Sequence, residues 1–467
     1  MSFFHLRPLA NANIPPVVGD IWNAYQELDR TQWLPRAELE ELQLRLLRPL
    51  LTHCYEQVPY YRRLLTEAGL HDRVLESLAD LRRLPLLTRE LYQRHFADLQ
   101  ASQHPEGMHG TGSGHTSGTN GVPIQVLKTN RTDLSWHALS LRDLEWCGLD
   151  PRGRLAAIRL LGKSSQDMPA WLRGVTLPSW SQKLNPLLVS GNSGGMDVRQ
   201  EPRLQLEWLR HFDPDYLVSM PSNLDFLAGL VAESGKRLPH LKVIQAVGET
   251  LSDASRHRIE TGFGVPVKNL YSTTEAGYMA TSCPQGPGLH VHAENVILEV
   301  LDADNQPCQP GQTGRLVLTA LHNYRAPFLR YDILDEVTLA PGPCPCGRGL
   351  PLLTRIDGRL HPLLYLPGGK RKAVSGLYLE IRKVGGVHQF QIIQRGVDHV
   401  ILRVVPDRSW SPDHAERMRA VVQHEFETPI RVDVEMKERL EPTSGGKVKI
   451  AIIELDDVKL AASEPRP

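Results

Sequence analysis

The sequence has little that would mark a secreted, membrane-bound or nucleic-acid-binding protein. Only six of its 467 residues are cysteine, too few for a disulfide framework in a chain of this length. Lysine plus arginine and aspartate plus glutamate each number 53. The resulting zero net charge gives no reason to expect nucleic acid or an anionic membrane as a partner. No apolar run reaches signal-peptide or membrane-spanning length, so we expect a cytoplasmic protein.

One stretch is rich in glycine and small hydroxyl residues. It runs from Gly112 to Pro123 and reads GSGHTSGTNGVP. Such a loop lets backbone approach a ligand and offers N–H and O–H donors to phosphate oxygens. It is not a Walker loop, because no Gly-Lys-Ser/Thr leads into a helix. On this stretch alone, a flexible Gly/Ser linker is the alternative interpretation.

The periodicity of apolar residues predicts an α/β fold after this loop. Helical spacing dominates 30–70, and another helix is predicted over 131–147. Beyond it, apolar strands alternate with helical patterns. The strands are 155–161, 216–220, 241–247 and 265–271, and the helices are 201–212, 222–235 and 252–262. This alternation predicts a largely parallel sheet with helices on its faces.

Two later regions have different patterns. Residues 290–301 and 314–321 are extended and separated by turns, which predicts a smaller β-structured unit. The last part of the chain predicts an α+β domain of about a hundred residues, a common size for an independent unit. Its predicted strands are 389–395, 399–405 and 430–436, with a helix at 411–427.

Four further stretches carry side chains suited to nucleotide chemistry. Gly248-Glu249 ends an apolar strand, where open α/β sheets place ligands. Tyr271–Glu275 ends the next strand and supplies an aromatic ring, three hydroxyls and a carboxylate that could hold Mg²⁺. Asp335 could accept hydrogen bonds from ribose hydroxyls, and Lys447 follows a glycine turn. Each is weak evidence alone.

In this order, the motifs resemble those of the adenylate-forming superfamily of acyl-CoA ligases, and specifically its phenylacetate–CoA ligase-like family. The similarity extends from about Tyr55 to Ile450. The matching motifs are Thr116–Gly121, Gly248-Glu249, Tyr271–Glu275, Arg330-Tyr331 with Asp335, Arg355–Arg359 and Ser444–Lys447. The resemblance implies a large α/β N-terminal domain, with parallel sheets, helices and a β-structured subdomain, and a small mobile α+β C-terminal domain.

The resemblance also implies domain bounds. Residues 1–100 would form the helical N-terminal part of the large domain, and 101–356 its ATP- and acyl-binding core. The hinge would span 357–361, including Arg359 and His361, and the C-terminal lid domain 362–467. If a catalytic lysine lies on a separate domain, rotation of that domain can remove the lysine from the active-site cleft. One cleft can then serve two successive steps of a reaction.

The implied reaction has two steps. A carboxylate attacks the α-phosphorus of ATP and releases pyrophosphate, and a thiol then displaces AMP from the acyl-adenylate. The implied catalytic residues are Lys447, Glu275 and Thr274, with Mg²⁺ on Glu275. The implied ATP-binding residues are Ser117, Gly118, Thr119, Asn120, Gly121, Gly248, Glu249, Tyr271, Ser272, Thr273, Asp335 and Arg355. Within this set the loop would hold the β- and γ-phosphates, Tyr271 would stack on adenine and Asp335 would bind ribose.

A second constellation contains cysteines. Cys283, Cys344 and Cys346 lie in glycine- and proline-rich turns, and His290 is close to the first of them in sequence. Three thiolates and an imidazole could form a closed tetrahedral zinc site. Members of the resembling family often keep this pattern, which makes a structural zinc an expectation. Free thiols in turns are the alternative, and His292 or Cys308 could replace His290 as the fourth ligand.

Three departures from the family pattern affect mainly the second half-reaction. Asn120 stands where the loop usually has threonine, and His361 replaces the acid of the hinge motif. Residues 367–376 replace an Arg-Gly-rich stretch that helps form the thiol tunnel. The run Lys370–Lys372 could meet the phosphates of coenzyme A, although such runs are more often solvated loops.

The resemblance therefore implies an ATP- and Mg²⁺-dependent ligase for a carboxylic acid, expected to be aromatic. Coenzyme A is the expected acceptor, with a carrier-protein thiol, an amine or a hydroxyl as alternatives. A nucleotide-binding protein without turnover and a zinc-dependent binding module are the competing functional classes. Neither nucleic acid nor a membrane is expected as a partner, and a homodimer is left open.

Overall fold

The fold was taken from a computed structural model of the chain. The structure describes residues 3–6, 14–70, 75–116, 123–161, 174–359, 363–366, 371–426, 429–441 and 448–455.

The described helices follow the apolar periodicity of the sequence. The α-helices are α1 (Pro16–Thr31), α2 (Arg36–Gln57), α3 (Pro59–Glu67), α4 (Arg89–Arg94), α5 (Asn130–Cys147), α6 (Pro202–Phe212), α7 (Pro221–Ser234), α8 (Asp253–Phe263), α9 (Val374–Val384) and α10 (Pro412–Phe426). The predicted helices at 131–147, 201–212, 222–235, 252–262 and 411–427 are confirmed within a residue or two.

The described strands form four sheets. They are β1 (Gly110–His115), β2 (Gln125–Thr129), β3 (Leu155–Arg159), β4 (Val175–Leu177), β5 (Ser193–Asp197), β6 (Tyr216–Ser219), β7 (Val243–Val247), β8 (Val267–Thr273), β9 (Gly277–Ser282), β10 (Leu289–Val291), β11 (Val296–Leu301), β12 (Thr313–Ala320), β13 (Tyr331–Leu339), β14 (Leu352–Arg359), β15 (Leu363–Tyr365), β16 (Arg371–Ala373), β17 (Val387–Gly396), β18 (His399–Pro406), β19 (Arg431–Met436) and β20 (Ala451–Ile453).

Local capping residues set several helix ends. The Thr88 hydroxyl accepts a hydrogen bond from the Leu91 amide, which satisfies one of the free N–H groups at the start of α4. Thr129 caps α5 in the same way. Gly148 ends α5 in a left-handed conformation, φ +70°, which glycine adopts without steric cost. A hydroxyl residue and a glycine thus set where α4 begins and where α5 ends.

The main sheet has twelve strands in the order β11-β12-β13-β14-β10-β9-β8-β7-β6-β3-β5-β4. Strands β5, β3, β6, β7 and β8 run parallel, as the alternation of strands and helices predicted. The β-structured region is not a separate layer. It continues the same sheet, because β8 turns directly into β9 and the two strands pair antiparallel, with Thr273 opposite Gly277.

The C-terminal part has its own four-stranded sheet, in the order β19-β18-β17-β20. Its core includes apolar residues of α9 and α10, among them Leu377, Ile381 and Met418. The strands predicted at 389–395, 399–405 and 430–436 are present. Helix α9 was not predicted, because it carries a glycine and follows a glycine-rich stretch. Among the described residues, no helix is both long and apolar enough to cross a lipid bilayer.

The end of β14 packs closely against the loop that follows β7. Gly358, in β14, has φ +76°. A Cβ built at this position would lie 2.0 Å from the Thr250 hydroxyl oxygen, so only glycine fits. The chain therefore leaves the large sheet in direct contact with the loop that follows β7.

Replacement of Gly358 tests this contact. We expect Gly358→Ala to lower the free energy of unfolding by about 1–3 kcal/mol, since the new methyl group adds both backbone strain and a clash. Thermal or urea unfolding measures the change. Gly342→Ala is the matched control, because nothing lies within 4 Å of a Cβ at that exposed glycine. Equal unfolding curves for the two variants would contradict the proposed contact.

Candidate active site

The predicted nucleotide motifs lie at one edge of the twelve-stranded sheet. Strands β7 and β8 are parallel neighbours, with Val247 opposite Leu270. Their carboxyl ends therefore lie side by side. Gly248 and Glu249 follow β7, while Tyr271–Thr273 form the end of β8. Gly248 has φ +80°, so the backbone turns away from the sheet in a conformation that favours glycine.

Tyr271 and Asp335 meet across 64 residues of sequence. The Tyr271 hydroxyl donates a hydrogen bond to Asp335 Oδ2, and the Asp335 side chain is buried. Asp335 lies in β13 and pairs with Arg359 of β14. The ring predicted to stack on a base and the acid predicted to bind ribose therefore lie in contact. An adenosine has both an aromatic face and vicinal hydroxyls, which this pair could bind together.

Thr274 and Glu275 occupy the turn between β8 and β9. Glu275 is only 4% exposed. The Thr273 hydroxyl accepts a hydrogen bond from the Ala276 amide at 3.1 Å, which shapes the turn. A Cβ at Gly114 would lie 3.1 Å from Thr274 Cγ2, so the strand that leads into the glycine loop lies against this turn. Glycine at position 114 permits that approach.

The base of the glycine loop is held by Thr116. Its amide donates to the Ile124 carbonyl and its hydroxyl accepts from the Ile124 amide, both at 3.1 Å. Arg89 donates a further hydrogen bond to the same hydroxyl at 3.0 Å. Thr116 is 4% exposed, so these bonds replace those to water. The chain thus enters and leaves the loop at fixed positions beside Thr274.

Ser222 links the site to the C-terminal part of the chain. Its amide, at the start of α7, donates to Glu249 Oε2 at 3.0 Å. Its carbonyl accepts from Gln389 Nε2 of β17 at 3.2 Å. One residue thus contacts both the predicted nucleotide motif and the C-terminal sheet.

Ion pairs reinforce the contact between α7 and the C-terminal part. Arg382 pairs with Asp225 at 3.1 Å, and Arg408 pairs with Glu233 at 3.1 Å. A Cβ at Gly229 would lie 2.9 Å from the His388 ring, so a glycine on α7 lets the two surfaces approach. The C-terminal part therefore contacts the large sheet next to the predicted site.

Two of the motif arginines make other contacts. Arg355 forms an ion pair with Asp357 at 2.5 Å on an exposed part of β14. Arg330 is buried, pairs with Glu299 at 2.9 Å and donates to the Leu84 carbonyl. The contacts of Arg330 hold the start of β13 against the N-terminal helices. An ATP-binding role for Arg355 stays a prediction.

Several predicted residues lie outside the described part of the chain. They are Ser117, Gly118, Thr119, Asn120, Gly121, His361 and Lys447. Arg359 is described as the last residue of β14, by its backbone pairing with Asp335.

The three cysteines and the histidine of the second predicted site lie close together. Ligand atoms of Cys283, His290, Cys344 and Cys346 all lie within 4.8 Å of one another. Cys283 Sγ and Cys344 Sγ are 3.7 Å apart, and His290 Nε2 lies 3.2 Å from Cys346 Sγ. The cluster thus contains the four residues that the sequence suggested, with His290 rather than His292 or Cys308 as the fourth.

The chemistry of this cluster suits a metal. Burial lowers the pKa of His290 to about 4, so its ring is neutral, the form that binds metals. His290 Nδ1 lies 3.1 Å from the Leu350 carbonyl, a contact that leaves Nε2 available as a ligand. His292 instead contacts Arg142 and Thr281, and the Cys308 sulfur lies near the Thr313 carbonyl.

Some residues at the site were missed by sequence patterns. Arg89 and Gln389 reach it from α4 and β17, and Lys128 reaches it from β2. Neither periodicity nor motif spacing singles out such residues, because their contacts are made across long sequence separations. Only the capping position of Thr88 gave a local signal that a helix begins at Arg89.

Two family models match the chain. Residues 114–325 match the AMP-binding enzyme family, and residues 367–454 match the CapK C-terminal domain. The first match covers the glycine loop from Gly114 onward and both strand-end motifs, while the second covers the C-terminal sheet.

Individual relatives span most of the chain. It is 29% identical to a phenylacetate-coenzyme A ligase of Thermus thermophilus, over 78% of this chain and 79% of that protein. Identity to the Escherichia coli phenylacetate-coenzyme A ligase is 26%, over 73% of this chain and 76% of that protein. The fold of this chain is similar to that of a 2-hydroxyisobutyryl-CoA ligase in complex with 2-HIB-AMP, with a TM-score of 0.70 and 20% identity. The match covers 99% of this chain and 96% of that one. In its motifs, its fold and its relatives, the chain is similar to the phenylacetate–CoA ligase-like family of the adenylate-forming superfamily.

Proposed function

We propose that this protein uses ATP to activate a carboxylic acid as its acyl-adenylate and transfers the acyl group to a thiol. The contact between Tyr271 and Asp335, next to the turn that carries Thr274 and Glu275, is the observation that best supports it. The side chains that we assign to the base and the ribose therefore touch, next to the turn that we assign to phosphate. The glycine loop starts against the same turn.

In the first step a carboxylate oxygen attacks the α-phosphorus, and the bond to the bridging oxygen of pyrophosphate breaks. Carboxylate alone is a poor acyl donor, because its leaving group would be oxide; adenylation supplies a better one. The transition state places charge on phosphate oxygens, and fixed donors and cations stabilise that charge. We assign this role to the loop residues Ser117–Gly121, Thr274 and, from the C-terminal part, Lys447.

Glu275 fits a role as a magnesium ligand. A carboxylate beside the hydroxyls of Thr273 and Thr274 is a set of hard oxygen donors, the type that Mg²⁺ prefers. When bound, Mg²⁺ would neutralise charge on the phosphates of ATP. Glu275 would supply the protein oxygen, and Tyr271 and Asp335 would orient the adenosine.

Coenzyme A is the proposed acceptor. In the second step its thiol sulfur attacks the acyl carbon, and AMP leaves with the electrons of the carbon–oxygen bond. The relatives named phenylacetate-coenzyme A ligases and 2-hydroxyisobutyryl-CoA ligase support a coenzyme A thiol rather than a carrier protein. Because phenylacetate is an aromatic acid, the phenylacetate-coenzyme A ligases among these relatives also support an aromatic substrate.

We further propose that the chain turns at residues 357–361, after the large domain, with 362–467 as a mobile unit. The close packing of Gly358 on Thr250 supports a defined turning point. The contacts of Ser222 with Glu249 and Gln389 would then change when the unit rotates. Rotation would bring Lys447 to the site for adenylation and withdraw it for thiolysis.

ATP–pyrophosphate exchange tests the proposed function. We expect exchange with at least one aromatic acid from a broad panel, and a requirement for Mg²⁺. Coenzyme A should then yield an acyl-CoA and AMP, whereas a carrier protein, an amine or a hydroxyl in its place should not. Absence of exchange with every acid would refute the ligase, and ATP binding without AMP release would favour a non-catalytic nucleotide-binding protein.

Lys447→Ala separates the two half-reactions. We expect pyrophosphate exchange to fall by at least about a hundredfold, because a cation aimed at developing phosphate charge is lost. Thiolysis of a supplied acyl-adenylate should be unchanged. Lys383→Ala, which removes an exposed lysine of α9, is the matched control in the same part of the chain. Equal loss in both assays would remove the proposed role of Lys447.

We also propose that Cys283, His290, Cys344 and Cys346 bind a structural zinc ion. A closed set of three thiolates and one imidazole matches the ligands of structural zinc sites. The cluster joins the turn after β9, strand β10 and the turn before β14. A metal there would tie together three segments in the middle of the large sheet.

Metal analysis of the purified protein tests this site. We expect about one zinc per chain, and loss of that zinc in Cys344→Ser with a fall in the free energy of unfolding of about 3 kcal/mol. Cys308→Ser is the matched control, since Cys308 lies outside the cluster. Wild-type protein without zinc after growth in zinc-containing medium would favour free thiols.

A further inference from the structure

Lys128 lies between the two elements assigned to phosphate. It is in β2, opposite Gly112 of β1. Its Cε and Nζ atoms lie 3.8 and 3.9 Å from the position that a Cβ on Gly114 would occupy. Thr274 Cγ2 lies 3.1 Å from that same position. The ammonium group is thus held beside both the strand leading into the glycine loop and the turn before Glu275.

Among the described residues, the ammonium group of Lys128 makes no ion pair. Lys128 is half-buried, and its Nζ lies 5.7 Å from the ring centroid of Trp136. Asp133 lines the same pocket. Within the described part of the chain, however, no carboxylate lies within 4.0 Å of Nζ. A partly desolvated cation without a close counter-charge favours binding of an anion from outside.

The glycine loop lacks a permanently charged cation that could meet such an anion. From Gly112 to Pro123 it contains neither lysine nor arginine. Its glycine, serine, threonine and asparagine residues offer neutral donors only. Arg89 is nearby, but it donates to the Thr116 hydroxyl at the base of the loop. A triphosphate bound by this loop would therefore lack a lysine from the loop itself.

We propose that Lys128 binds the β- and γ-phosphates of ATP and the pyrophosphate that leaves. This assignment rests on the proposed function and adds a residue that the sequence motifs do not include. A lysine on the strand after the loop supplies the positive charge that the loop lacks, and Gly114 leaves room for its side chain to lie along β1. Lys128 acts in adenylation only, since pyrophosphate has left before thiolysis.

The same pocket offers a second interpretation. Trp136 is 39% exposed there and packs edge-on against Tyr278, with ring centroids 4.8 Å apart. These rings could contact the acid, and Lys128 could then hold a second anionic group on it. The phosphate assignment is favoured because Lys128 Nζ and Thr274 Cγ2 both lie within 4 Å of the Cβ position of Gly114, and Gly114 and Thr274 belong to the proposed phosphate-binding elements.

Calorimetric titration with ATP, pyrophosphate and AMP, each with Mg²⁺, distinguishes these roles. Lys128→Met removes the charge but keeps an apolar stem against Trp136. We expect the affinities for ATP and pyrophosphate to fall about tenfold to a hundredfold, the loss typical of one charge-assisted hydrogen bond. The affinity for AMP should stay unchanged, because AMP has no β- or γ-phosphate. Lys128→Arg should retain most of the ATP affinity.

Lys236→Met, at an exposed lysine after α7, is the matched control and should change none of the three affinities. An equal fall for ATP and AMP, or no fall for either, would overturn the assignment. So would a raised KM for the acid with unchanged ATP binding, which would place Lys128 at the acyl end. If Lys128→Met lowers the melting temperature, Lys128→Gln and Lys128→Arg are compared with each other instead.

The outcomes for Lys128 and for the ligase can be told apart. If wild-type protein exchanges pyrophosphate but Lys128→Met binds ATP and AMP as wild type does, the ligase stands and the lysine assignment fails. If no acid supports exchange, but Lys128→Met loses affinity only for ATP and pyrophosphate, the phosphate site is supported and the ligase function is refuted. Absence of ATP binding by the wild type overturns both.

Discussion

Parallel pairing of β7 with β8 is the constraint on which the candidate site depends. Backbone hydrogen bonds align Val247 with Leu270, so Gly248-Glu249 and Tyr271–Glu275 emerge at the same edge. The antiparallel return into β9 then holds the turn of Thr274 and Glu275 in place. Because this framework is made of backbone hydrogen bonds in a buried sheet, it positions side chains more rigidly than a free loop could.

Close backbone approach is the second organising feature. Gly114 lets β1 lie against Thr274, Gly229 lets α7 lie against His388, and Gly358 lets β14 lie against Thr250. A Cβ would clash with another segment at Gly229 and Gly358 and would be tightly packed at Gly114. Glycine here determines which segments can touch, and those contacts bring the loop and the C-terminal part to the edge of the sheet.

Charge is distributed unevenly over this arrangement. Among the described residues, two cationic side chains border the site, Arg89 on α4 and Lys128 on β2; Lys447 is the cation that we propose to come from the C-terminal part. The proposed phosphate ligands of the loop are neutral, which leaves positive charge to come from outside it. Adenylation moves negative charge onto a leaving pyrophosphate, and thiolysis does not. Cations on separate elements can therefore act in one half-reaction and be absent from the other.

Asp225 of α7 forms ion pairs both within the large sheet region and with the C-terminal part. Asp225 pairs with Arg258 of the large sheet region as well as with Arg382. If the C-terminal part rotates, Asp225 keeps one of its two arginines and is not left as a buried unpaired charge. The free energy needed to separate the two surfaces is smaller for that reason.

Local sequence patterns determined the element types, the strand-end motifs and the family resemblance. Apolar periodicity depends only on neighbouring residues, and it predicted the helices at 131–147 and 252–262 and the strands around β7 and β8. It missed α9, and it did not show that the β-structured region joins the main sheet. Strand pairing depends on residues far apart in sequence. The tertiary structure alone decided that Tyr271 meets Asp335, that His290 rather than His292 joins the three cysteines, and that Lys128 lies beside Thr274. Those contacts are set by packing and sheet register, which no local pattern encodes.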